Sequence, residues 1–135
     1  MLTVSQKDIA RALAALSSFP ELTATPAVTA TYTRYVAALG PSLRQLGLVP
    51  TLAVYAAGGE GKQKKDKLLP LLRELVLPAF PDIGGNTLFG YAAGLADRQK
   101  DGKLRLLRKQ LEAAATALKL AFRTHPQRSP ENIDA

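Results

Sequence analysis

The 135-residue chain has no cysteine and no tryptophan, one histidine and one methionine, and its aromatic residues amount to 6 %. Without cysteine there is neither a disulfide framework nor a thiolate metal site, which is compatible with a reducing cytoplasm. Segments of strictly alternating polarity, the mark of half-buried strands, do not occur at useful length. No run approaches the roughly 18 uncharged apolar residues that a membrane span needs. The N-terminal stretch "MLTVSQKDIARALAALSSF" is broken by Lys7, Asp8 and Arg11, so it lacks the apolar centre of a signal peptide. These absences lead to the expectation of a cytoplasmic protein without a membrane partner.

What is present is alanine, leucine and positive charge. Hydrophobic residues make up 47 % of the chain, enough for one buried core in a domain of this length. Alanine and leucine, both strong helix formers, supply much of that fraction. Eighteen Lys and Arg stand against eleven Asp and Glu, a formal net charge of +7. An excess of this size in a small domain favours a polyanionic partner, because neutralising phosphates releases their counterions.

Apolar spacing predicts an all-α fold, a compact single-domain bundle of about five to six helices over residues 1–124, followed by a flexible polar tail over 125–135. Ser5 and Asp8 suggest a capping box for a first helix to Ser18, with Val4 and Ile9 at the staple positions. Its buried stripe is Ile9, Ala12, Leu13 and Leu16, and Pro20 stops it. Thr25 followed by Pro26 starts a long second helix. There Val28, Tyr32, Tyr35, Val36, Leu39, Leu43 and Leu46 recur at three or four residues without a miss. Gly40-Pro41 interrupts this segment, but the phase survives, so a kinked helix is expected in preference to two helices meeting at Gly40. Gly47 is placed to end it. A short third helix carries Leu52, Val54, Tyr55 and Ala56.

Beyond the loop "GGEGKQKKDK" (residues 58–67), leucines 68, 69, 71, 72 and 75 are too many for one face, so the next helix is buried on more than one side. A turn and a helix over about Thr87–Lys100 follow. The last helix spans roughly Lys103–Thr124. Leu104, Leu107, Leu111, Ala114, Ala115, Leu118 and Phe122 form its apolar side, widened by Leu106, Ala113, Ala117 and Leu120. Its polar stripe holds Arg105, Lys109, Glu112, Thr116, Lys119 and Arg123, with Arg108 beside it. Residues 98–123 contain eight basic and two acidic residues, a net of +6 and nearly the whole excess.

Little in this pattern points to catalysis. The glycine–lysine loop is not a phosphate cradle of the Walker type. Gly61-Lys62 is followed by Gln63 where Ser or Thr is needed, position 56 is alanine, and no strand precedes it. His125 lies in the tail, where a solvated histidine is ordinary. No His, Asp and Glu residues are paired at helical spacing to bind a metal. Ser17-Ser18 reads as a helix end and not as a nucleophile. A non-enzyme without cofactor or metal is expected. Tyr32 and Tyr35 could stack on bases, but their phase marks them as core or interface residues. The stripe of the last helix could be a solvated face, the usual fate of such stripes. Against that, Arg105, Arg108, Lys109, Lys119 and Arg123 have only Glu112 as an acidic neighbour, whereas structural surfaces intersperse the two signs. The loop lysines Lys62, Lys64, Lys65 and Lys67 add a second cluster.

The run "YVAALGPSLRQLGLVPTLAVYAA" resembles the central signature of the small helical subunit of the type III-B (Cmr) CRISPR effector complex. That signature is a tyrosine-bearing helix with an internal proline, a Gly-Leu turn, then Thr-Leu-Ala and an aromatic-rich short helix. The basic "LRLLRKQLEAAATALKLAFR" is similar to the family's closing helix, with Leu118-Lys119 near its end, and length and order agree over about residues 5–124. The resemblance implies a non-catalytic helical bundle that stacks head to tail with copies of itself beside the larger backbone subunits. It would help form the basic groove in which guide RNA pairs with target RNA, while cleavage belongs to other subunits. Lysines 62, 64, 65 and 67 would then approach RNA or a neighbouring subunit. A small subunit of another CRISPR complex, or a stand-alone helical nucleic-acid binder, would show similar charge and helicity.

Overall fold

The computed structural model describes residues 6–58 and 64–124. These residues form six α-helices and three short 3₁₀ turns, with no strand among them. The expected cap at Ser5, the staple at Val4, Lys62, His125 and the tail lie outside the described residues.

Helix α1 (Gln6–Ser17) buries Ala12 and Leu16 completely. The chain then turns through Pro20–Thr23, a 3₁₀ turn without a periodic signature that nonetheless buries Leu22. Helix α2 (Pro26–Leu46) is a single helix continuous through Pro41. It begins as its sequence predicts. Thr25 is extended, its hydroxyl accepts from the amide of Val28 at 3.1 Å, and Pro26 occupies the first turn, where its missing N–H costs nothing. Gly47 ends it at φ +89°, a conformation that disfavours any residue with a Cβ, while its amide still donates to the carbonyl of Leu43.

Helix α3 (Leu48–Ala57) follows directly and buries Leu48, Thr51, Leu52 and Tyr55. After the 3₁₀ turn Lys65–Lys67, helix α4 (Leu68–Val76) buries Leu68, Leu69, Leu71, Leu72 and Val76, the expected burial on more than one side. A third 3₁₀ turn (Pro81–Ile83) leads to α5 (Leu88–Asp97), which Thr87 caps by accepting from the amide of Gly90. Helix α6 (Asp101–Thr124) starts two residues earlier than its sequence predicts.

Helix α6 is the axle of the bundle. It packs most extensively on α2 and α1 and also against α4 and α5. Leu107, Leu111 and Leu118 are fully buried along its length, and Ala114, Ala115, Ala117 and Ala121 let the neighbouring helices come close. Three apolar positions depart from the periodic expectation. Leu46, Val54 and Leu106 are each about half exposed. A helical phase gives the angle of a side chain about its axis, and says nothing of how far a neighbour extends to cover it.

Candidate nucleic-acid interface

On a helix turning 100° per residue, Arg105, Arg108, Lys109, Glu112, Thr116, Lys119 and Arg123 share one side of α6, opposite the buried leucines. Arg105, Lys109 and Arg123 are exposed, while Arg108 and Lys119 are half-buried. From Arg105 to Arg123 the stripe spans about 27 Å along the axis.

Its border is α2. A groove of about 360 Å³ runs between the two helices, floored by Ala37, Gly40 and Pro41 of α2 and walled by Arg44 on one side and Glu112, Thr116 and Lys119 on the other. Arg44 meets Glu112 at 3.7 Å, with the arginine side chain 63 % exposed and the carboxylate 18 %. The one acid of the stripe therefore faces a cation from outside it. Among the described residues Arg105, Arg108, Lys109, Lys119 and Arg123 form no ion pair. Arg44 thus extends the cationic surface onto α2. In the sequence it falls off the apolar phase, on the same side as Ala37 and Pro41, but only the apposition of α2 and α6 shows that this side meets the stripe.

Arg108 is less available than its neighbours. It lines a second hollow with Leu48, Val49 and Pro50, and its Nε is buried without a hydrogen-bond partner. Its stem lies along apolar surface in the manner of long cationic side chains.

The loop lysines lie elsewhere. The 3₁₀ turn that carries Lys65 and Lys67 packs on α3 and α4, and it meets the side of α2 that bears Tyr32 and Tyr35, turned well away from Arg44. The amide of Lys65 donates to the carbonyl of Gly58, which sits at φ +80°. The Tyr32 hydroxyl donates to the carbonyl of Lys64 at 3.3 Å. The Lys65 ammonium stands 5.5 Å from the centre of the Tyr35 ring and 5.3 Å from that of Tyr55, within the range of cation–π attraction. Lys65 is thus committed to holding the turn against α2 and α3, whereas Lys64 and Lys67 are exposed.

The tyrosines are structural, as their phase indicates. Tyr32 and Tyr55 are buried, and Tyr32 meets Tyr35 edge to face with ring centres 5.6 Å apart. The Tyr55 hydroxyl donates to the Tyr35 carbonyl at 2.6 Å. Burial, with Tyr35 alongside, pushes the Tyr55 hydroxyl up to about 12. Neither buried ring is presented to a base.

At the far end of the bundle, Asp82 accepts from the Tyr91 hydroxyl at 2.7 Å and from the Lys103 ammonium at 3.0 Å. These two bonds hold the Asp82 carboxyl below its ordinary range, and burial together with Asp82 pushes Tyr91 up to about 12. This clasp ties α5 and the turn before it to the start of α6. Among the described residues no three His, Cys, Asp or Glu side chains gather where they could hold a metal, and no helix is long and apolar enough to cross a membrane. No family model, curated protein or solved structure matches the chain.

Proposed function

We propose that the chain is a non-catalytic, RNA-binding small subunit of a type III-B (Cmr) CRISPR effector complex. In this reading it lines part of the basic groove that holds guide RNA paired with target RNA, in contact with the backbone subunit and with copies of itself. The observation that carries the nucleic-acid part is the cationic side of α6. It presents a row of arginines and lysines about 27 Å long, none in an ion pair within the described chain, with Glu112 turned to Arg44 and Asp101 one turn before Arg105 as the carboxylates on this side. A solvated face needs no such segregation of sign. The assignment to this effector class rests on the resemblance of the α2–α3 segment and of the closing helix.

Each cation that neutralises a phosphate on a duplex contributes a slope of about −0.9 in log affinity against log salt. Changing Arg105, Lys109, Lys119 and Arg123 to glutamate is therefore expected to weaken target-RNA binding by a reconstituted complex and to flatten its salt dependence. Sequence preference stays as it was, because phosphate contacts position a strand and carry no base information. An unchanged slope in a normally assembled complex would show that the stripe is solvated or meets protein. Tight binding of RNA by the chain alone would favour a stand-alone binder over a complex subunit.

A further inference from the structure

A stripe that served only to neutralise phosphate would gain nothing from a carboxylate at its middle. Glu112 sits there, and its structural reason is thin. Its contact with Arg44 is long, at 3.7 Å, and the arginine is mostly exposed, so the pair contributes little to stability. A negative charge in this position also weakens attraction for any polyanion.

The spacing along α6 suggests what Glu112 is for. The cations fall into two groups. Arg105, Arg108 and Lys109 form one, and Lys119 and Arg123 form the other, with Arg44 of α2 facing Glu112 between them. Between Lys109 and Lys119 lie about 15 Å of helix, occupied on this side by Glu112 and Thr116. A single strand laid along the stripe would bring its closely spaced phosphates directly over the carboxylate. A duplex crossing the helix avoids this, since its two backbones meet the two cationic groups and the groove between them lies over Glu112. The wide, shallow minor groove of an A-form duplex displays ribose 2′-hydroxyls at that place.

The α2–α6 groove is furnished for such a group. Glu112 can only accept hydrogen bonds, and its contact with Arg44, made through Oε1 at 3.7 Å, is at ion-pair distance and longer than a hydrogen bond. Pro41 has no N–H, so the carbonyl of Ala37, in the same groove, lacks its usual helical donor. The Thr116 hydroxyl donates to the carbonyl of Glu112 at 3.2 Å, leaving its oxygen able to accept. Acceptors thus stand beside Lys119 on the α6 wall of the groove, with Arg44 on the wall across from them. That is the complement of a hydroxyl donor flanked by phosphates.

We propose that Glu112 accepts a hydrogen bond from a ribose 2′-hydroxyl of a bound RNA duplex, so that this surface distinguishes RNA from DNA. The inference rests on the RNA-binding reading and specifies the sugar that the site selects. The test compares short duplexes of one sequence made of RNA, of 2′-fluoro RNA and of DNA, binding to the full chain at about 50 mM salt, where phosphate contacts are strong. The 2′-fluoro duplex keeps the A-form shape and lacks only the donor.

The wild-type chain is expected to bind RNA roughly ten-fold more tightly than the 2′-fluoro duplex, the worth of one hydrogen bond to a charged acceptor. Glu112→Ala removes the acceptor, so it should bring the ratio close to one while strengthening binding of all three duplexes through the lost negative charge. Glu112→Gln keeps an acceptor oxygen and should retain a preference for RNA with the same general strengthening. Equal binding of RNA and 2′-fluoro RNA by the wild type would overturn the inference, and so would a wild-type ratio in a folded Glu112→Ala variant. If all three duplexes bind equally and with a steep salt slope, only the sugar reading fails. If none binds, either to the chain alone or to a reconstituted complex that carries it, the RNA-binding reading fails with it.

Discussion

Single side chains in this bundle divide into those whose removal is felt by the fold and those whose removal is not, and their phase alone does not separate them. Leu111 and Leu118 are fully buried at the centre of α6. Truncating either to alanine is expected to cost about 2–5 kcal/mol, read from chemical denaturation, because the cavity adds to the lost transfer energy. Leu106 has the same chemistry and belongs to the same helix, yet it is 58 % exposed. Leu106→Ala should stay within about 0.5 kcal/mol of wild type by the same measurement, as surface changes usually do. Lys65 inverts the usual expectation for a loop lysine. Its ammonium lies over Tyr35 and Tyr55, so Lys65→Ala should destabilise the fold by about 0.5–2 kcal/mol. Lys64→Ala leaves the backbone carbonyl that Tyr32 uses in place and should have little effect on stability.

Titration acts at the same scale. Tyr55 and Tyr91 hold their protons up to about 12 in the folded chain, against about 10 in an unfolded one. Between those values the folded state binds more protons than the unfolded state, so stability falls as pH rises from about 10 to about 12. Asp82 works in the opposite direction. Its carboxyl is held low by Tyr91 and Lys103, so its contribution is present above the ordinary carboxylate range and is lost as pH falls through the folded value. Equilibrium unfolding across the alkaline range should show the loss blunted in Tyr55→Phe, which cannot ionise.

At the scale of the element, α2 is the most instructive. An interior proline removes a donor and crowds the preceding turn, at a cost of about 3 kcal/mol in an exposed helix. Yet α2 runs unbroken from Pro26 to Leu46. Tyr32, Val36, Leu39 and Leu43 are all buried, and the surface they bury on both sides of Pro41 outweighs that local cost. Pro41→Ala is accordingly expected to raise the thermal midpoint, since the restored amide can donate to the Ala37 carbonyl while the buried face is unchanged. A lowered midpoint would show that the packing of α6 depends on the proline.

The continuity of α2 was legible in the sequence because its apolar phase crosses Gly40-Pro41 without slipping. The turns Pro20–Thr23 and Pro81–Ile83 were not legible. Each contributes one deeply buried side chain, Leu22 or Ile83, too few to establish any period. Of the candidate interface, the cationic side of α6 followed from spacing alone. Arg44, the burial of the Arg108 Nε and the capture of Lys65 by two tyrosines did not, because each depends on which helices lie side by side.

For the molecule as a whole, the position of α6 decides the order in which a structure can exist. The bundle's two most extensive helix–helix contacts, with α1 and α2, both need α6, which is synthesised after the other five helices. Residues 1–100 carry Leu16, Val36, Leu39, Leu43 and Leu72, all nearly or fully buried in the finished chain. A fragment ending at Lys100 is therefore expected to lack a cooperative unfolding transition by circular dichroism, and a native-like one would show that α6 is dispensable. During synthesis, at about 5–20 residues per second, the earlier helices must wait for their central partner with apolar surfaces uncovered. That interval is when the nascent chain is most open to chaperones and to aggregation, and it closes only once α6 has emerged.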